Sequence, residues 1–77
     1  MKSKLWKFKV GSVIRWPENS GVPFLVAKVL GRRGNGGYRD YHLQYLGGGT
    51  GWVSSYYVSR SYDDSGISAK FFDLFVR

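Results

Sequence analysis

The pair Asn35-Gly36, set in the run Arg33, Gly34, Asn35, Gly36, Gly37, constrains this chain more than any other feature. Asn-Gly tolerates the positive φ values that a tight hairpin turn demands, and segments with apolar alternation flank it on both sides. A second glycine-rich break, Gly47, Gly48, Gly49, Thr50, Gly51, follows Leu46. Short segments punctuated this closely suit antiparallel strands joined by hairpins.

On that basis the chain divides into five strands. The first runs near Ser12 to Trp16 and stops at Pro17, which lacks the N–H that a ladder needs. A loop of turn formers, Glu18 to Pro23, leads into a second strand from Phe24 to Arg32, with Leu25, Ala27 and Val29 facing the core and Phe24, Val26, Lys28, Leu30 and Arg32 opposite them. Gly31 marks a bulge or bend. The third strand, Tyr38 to Leu46, turns Tyr41, Leu43 and Tyr45 inward and Asp40, His42 and Gln44 outward. Trp52 to Ser54 are read as the fourth strand, Ser55 to Tyr57 as a helical turn, and Val58 to Tyr62 as the fifth strand. The expected fold class is therefore all-β in the main: a five-stranded antiparallel barrel over residues 10–62, closed because closure removes exposed edges. Residues 1–9 form a basic arm. Residues 63–77 form an apolar tail, where Ile67, Phe71, Leu74 and Phe75 recur at helical spacing behind a cap at Asp64 or Ser65, although Phe71, Phe72, Phe75 and Val76 also suit a strand. Such a tail covers an open end of the barrel or, as the alternative, presents a helix to a partner.

Seventy-seven residues make one small domain with a thin core, and without cysteine it has no disulfide or thiolate metal site. That composition fits a reducing compartment. No apolar run reaches the eighteen or so residues that cross a bilayer, and the opening MKSKLWKFKV lacks the apolar region of a signal peptide, so the expected location is cytoplasmic. The formal net charge is +7, with Lys2, Lys4, Lys7 and Lys9 crowded at the start. A field of that sign favours polyanions: nucleic acid, an acidic protein, or an anionic membrane surface, to which so short an arm binds weakly.

Gly51 to Val58, GWVSSYYV, resembles the G-(Y/W)-(I/V)-P-S-N-Y-V closure of the Src-homology-3 domain, in which a strand, a short helical turn and a last strand meet beside the ligand groove. The resemblance implies core roles for Val53 and Val58 and a groove position for Tyr57, with Trp52 ahead of the core aliphatic residue. Ser54 stands where that family has its groove proline, no ALYDY-like run precedes the first loop, and that loop carries only Glu18 where peptide-binding members are acid-rich. Proline-rich ligands that set a basic residue against loop acids would find no such field here. FKVGSVIRW, followed by an apolar strand and glycine-rich turns, looks more like the bacterial and viral small barrels of Tudor or KOW type, small phage proteins among them. Members of that group bind nucleic acid, protein tails, or ribosomal and polymerase partners.

Basic residues interleave with aromatic ones along the chain. Lys7, Lys9, Arg15, Arg32, Arg33, Tyr38, Arg39 and Arg60 are the candidate nucleic-acid residues, with Trp16, Tyr56, Tyr57 and Tyr62 interspersed. Cations neutralise phosphates and planar rings stack on unpaired bases, a combination that suits single-stranded DNA or RNA. The GRRGNGG loop, Gly31 to Gly37, is a weak phosphate-binding candidate, whereas GGGTG lacks the Gly-Lys-Ser/Thr ending of a P-loop. His42, the only histidine, and the hydroxyls Ser54 and Ser55 suggest neither a metal centre nor an activated nucleophile. No catalytic residue, metal or cofactor is expected. The reading is a non-enzymatic module for single-stranded nucleic acid or RNA, and the alternative is a module that holds a peptide or an acidic assembly partner at Trp16, Ser54 and Tyr57.

Overall fold

The hairpin between the two longest strands organises the sheet, and its turn begins after Asn35, which pairs with Tyr38 as the last residue of a strand instead of taking the turn position expected of it. In the computed structural model, which describes residues 6–17, 25–35 and 37–76, β2 (Val26–Asn35) and β3 (Tyr38–Tyr45) pair antiparallel from Ala27↔Tyr45 to Asn35↔Tyr38. Gly34 adopts a φ of 102° on the approach to the turn, a value that L side chains avoid. β4 (Thr50–Ser54) pairs with β3, and β1 (Val13–Arg15) lies on the other side of β2. Between β4 and the two-residue β5 (Asp63–Asp64) the chain makes α1 (Ser55–Ser61), and α2 (Ala69–Phe75) ends the fold. All five strands belong to one antiparallel sheet in the order β4-β3-β2-β1-β5. The sheet is not closed, since β4 and β5 stand at its opposite edges. Residues 1–5 of the expected basic arm, the loop Glu18 to Pro23, the expected strand start at Phe24, and Gly36 itself lie outside the described residues.

Period-two alternation gives the sheet two faces, each with its own core. On the first, Ile14, Ala27, Val29, Tyr41 and Leu43 are fully buried beneath Phe8 of the N-terminal segment, Val58 of α1, and Tyr62. Val13 and Val26 occupy the second face, covered by Phe72 of α2 with Leu46, Ile67 and Val76 around it. Burying a side chain the size of Phe72 contributes roughly 1.5–3 kcal/mol. Lys28 fastens the same helix by an ion pair of 2.6 Å between its Nζ and Asp73 Oδ1. The inward readings of Leu25, Ala27, Val29, Tyr41 and Leu43 hold; Tyr45 is half-buried.

Three expectations need correction. Val58 to Ser61 are helical and Tyr62 is their C-cap, so none of the expected fifth strand, Val58 to Tyr62, is strand; β5 is instead Asp63–Asp64, paired with Arg15 and Ile14. Val58 and Tyr62 lie one helical turn apart and both enter the core, an arrangement that the same spacing permits as readily as a strand. Ser54 Oγ starts this helix by accepting the Tyr56 N–H at 3.2 Å, a cap contributing about 1 kcal/mol.

The tail is helical, but its cap is Ser68, whose Oγ accepts the Phe71 N–H at 3.1 Å. Ser65 instead donates to the Val13 carbonyl and accepts from the Ile67 N–H, which makes a turn before the helix begins. Phe72 is then the buried residue of α2, while Phe71, Leu74 and Phe75 face outward.

Arg32 is the third correction. Val29 pairs with Leu43 but Gly31 with His42, so Leu30 is an extra residue and the strand bulges. Beyond the bulge the alternation inverts. Arg32 falls opposite Tyr41 on the first face, and Arg33 falls opposite Asp40 on the second. Among the described residues no helix is long and apolar enough to cross a membrane.

Candidate functional site

The start of β3, the end of β4 and the outer side of α1 enclose a groove of about 460 Å³, lined by Tyr38, Arg39, Asp40, Ser54, Tyr56 and Arg60 among others. Strand pairing places Asp40 directly opposite Ser54, and the Ser54 cap aims the first turn of α1 along the groove. Tyr56 and Arg60 then stand one helical turn apart, with the guanidinium 5.1 Å from the ring centre. Tyr38 is 87% exposed and Tyr56 70%, so both rings are presented to solvent rather than packed. Two arginines thus share the groove with one carboxylate. Asp40 Oδ2 also accepts from Arg33 Nε at 3.2 Å.

Arg33 continues the site onto the second face of the sheet. Its guanidinium lies 4.1 Å from the centre of the Trp52 ring, and Trp52 stacks on His42 with centres 4.4 Å apart and planes 10° from parallel. Neither Trp52 nor His42 was among the expected site residues. Counting outward from the Gly47–Gly49 turn sets the two opposite each other, which is the signal that the pattern held.

The other expected residues are placed elsewhere. Lys7 Nζ donates to the carbonyls of Ser59 at 3.0 Å and Tyr62 at 3.5 Å and lies 3.7 Å from Asp63 Oδ1, so it caps the C-terminal end of α1, where a cation is favoured. Arg32 stands 5.0 Å over the Trp6 ring. Arg15 is half-buried within β1 between Val26 and Asp63, and Lys9 is exposed in the N-terminal segment. The structure therefore gathers Tyr38, Arg39 and Arg60, joins Arg33 to them through Asp40, and does not bring Lys7, Lys9, Arg15 or Arg32 into the groove.

Of the residues expected to hold a protein partner, Trp16 meets Tyr57 edge-on at 6.4 Å and leans on Tyr62 at 6.2 Å. Ser54 lines the first groove instead. Burial raises the Tyr62 hydroxyl above the usual phenol range, and the nearby Tyr45 and Tyr57 raise it further; Tyr45 is raised by burial and then by Tyr57. A separate hollow of about 300 Å³ beneath α2 is lined by Val26, Leu46, Ile67, Phe71, Phe72 and Phe75. Among the described residues no three His, Cys, Asp or Glu side chains gather as metal ligands. No protein-family model, curated protein or solved structure matches the chain.

Proposed function

We propose that this chain is a non-enzymatic module that binds single-stranded DNA or RNA through the groove between β3, β4 and α1. One observation carries the reading: Arg39 and Arg60 line a groove that also holds two solvent-presented rings, Tyr38 and Tyr56. Guanidinium groups neutralise phosphates, and each ring that stacks on an unpaired base contributes roughly 1–3 kcal/mol. The exposed faces of Tyr38 and Tyr56 favour single strands, whose unstacked bases can reach them, over duplex. The strand order, with a helix between the fourth and fifth strands, supports the likeness to Src-homology-3-like small barrels of Tudor or KOW type.

The test is fluorescence anisotropy of labelled short single-stranded DNA and RNA titrated with the protein at several salt concentrations. Two phosphate contacts on a single strand give a log–log slope near −1.4, so affinity falls about sevenfold between 50 and 200 mM salt. Replacing both Arg39 and Arg60 with Gln should abolish most of that slope. Absence of binding at low salt, or a slope untouched in the double variant, refutes the reading. A rival reading, a module for a peptide or acidic protein, draws on the Trp16–Tyr57 contact and on Tyr57 being 43% exposed. It requires salt-tolerant binding that Tyr57→Ala removes.

A further inference from the structure

We propose that Arg33, Trp52 and His42 form a second base-stacking subsite on the open half of the sheet's second face, so that a bound strand passes from the groove onto it. The proposal rests on the nucleic-acid reading and extends its footprint. Position is the first argument. Asp40↔Ser54, inside the groove, and His42↔Trp52 are neighbouring cross-strand pairs on one face, separated by two residues along each strand, or roughly 7 Å. A strand leaving the groove along β3 and β4 meets this stack next.

Access is the second argument. The buried part of that face, around Val13, Val26 and Lys28, is occupied by α2, whereas Trp52 is 42% exposed and the Arg33 side chain 57% exposed. Chemistry is the third. The exposed Arg33 guanidinium is a planar surface on which an unpaired base stacks, and the Trp52 ring, with His42 stacked on it and Arg33 over it, backs that surface. His42 supports the indole, and Arg33 is held both by the Asp40 carboxylate and by the Trp52 ring, so its orientation is set before any ligand arrives. Pre-set groups lose less freedom on binding. The carboxylate in an otherwise basic groove thereby acquires a role: it orients the arginine that bridges the two subsites.

The experiment compares a dinucleotide, short enough to sit in the groove, with an octanucleotide that spans both subsites, each as single-stranded DNA. Its readout is the affinity gained on lengthening the probe. Trp52→Ala should lower that gain roughly 5- to 150-fold, the range for losing one stacked base. Trp52→Phe, which keeps a stacking ring and the fold, should retain most of the gain while losing the fluorescence quenching that the octanucleotide causes in the wild type. An undiminished gain in Trp52→Ala, or undiminished quenching in Trp52→Phe, overturns the second subsite. In that event, octanucleotide binding that still depends on Arg39 and Arg60 leaves the groove reading standing. Failure of the wild type to bind either probe at low salt overturns both.

Discussion

Replacing Tyr41 with Phe should destabilise this protein by about 1–3 kcal/mol, although it removes a single oxygen. Tyr41 is fully buried, and its hydroxyl accepts the backbone N–H of the equally enclosed Phe8 at 3.0 Å. The substituted ring still fits, with its edge contact to Trp6 at 5.2 Å and its tilted contact to Phe8 at 6.0 Å. What disappears is the acceptor, and the Phe8 amide is left buried without a partner. A satisfied hydrogen bond contributes about 1 kcal/mol, and an orphaned buried donor raises the loss toward 3. For a domain this small each kcal/mol moves the midpoint by about 4–8 °C, so a fall of roughly 5–20 °C is expected. Thermal and urea unfolding followed by circular dichroism would measure it, with an unchanged urea slope showing that the unfolded state is unaffected. Because Lys7 sits between Trp6 and Phe8 and ties them to the end of α1, Trp6 emission should shift red and affinity at the groove should fall in parallel. A variant within 0.5 kcal/mol of wild type would refute the reasoning, because it would mean that the Phe8 amide reaches water and the N-terminal segment does not seal the core.

At Gly34 an added Cβ would meet the Tyr38 carbonyl oxygen at 2.1 Å, on a backbone already at φ +102°. Gly34→Ala should therefore cost about 2 kcal/mol or more by the same denaturation assay, while Gly37→Ala, with nothing within 4 Å, should stay within about 0.5 kcal/mol. Equal losses at the two positions would contradict the turn geometry. The raised hydroxyls of Tyr45 and Tyr62 predict an alkaline limit to stability. An unfolded chain releases these protons near pH 10 while the folded chain retains them, so their contribution is intact below about pH 10 and declines as pH rises beyond it. Urea midpoints taken from pH 9 to 11.5 should fall more gently in Tyr62→Phe than in wild type; identical curves would exclude the effect.

Where a residue's environment is set by its immediate neighbours, the chain was legible. Ala27, Val29, Tyr41 and Leu43 lie on one face because alternation alone puts them there, and the hairpin between them draws on glycine backbone freedom at Gly34, whereas Asn35, expected in the turn, pairs with Tyr38 as a strand residue. Val58, Arg60 and Tyr62 were misread because apolar residues four apart satisfy a helix and a strand alike; the Ser54 cap and burial of Val58 decided for the helix. The groove was legible as residue types but not as a place. Tyr38 and Arg39 meet Tyr56 and Arg60 only when β4 folds back along β3, and no local pattern distinguishes them from Lys7, which the same folding turns into a helix cap.

The extra residue at Leu30 works as a phase shift in the middle of β2. Upstream of it the strand is locked to the core through Ala27 and Val29; downstream it carries the arginines. Deleting that residue would make Val29 and Gly31 neighbours, already opposite the neighbouring Leu43 and His42, so Arg32 would stay opposite Tyr41 and Arg33 opposite Asp40. What the deletion would remove is the local bend and extra twist of the bulge, not the facing of either arginine. At this one position the hairpin therefore tolerates the loss of a residue, the kind of change that strands ordinarily withstand least, because the pairs on either side of the bulge are already consecutive on β3.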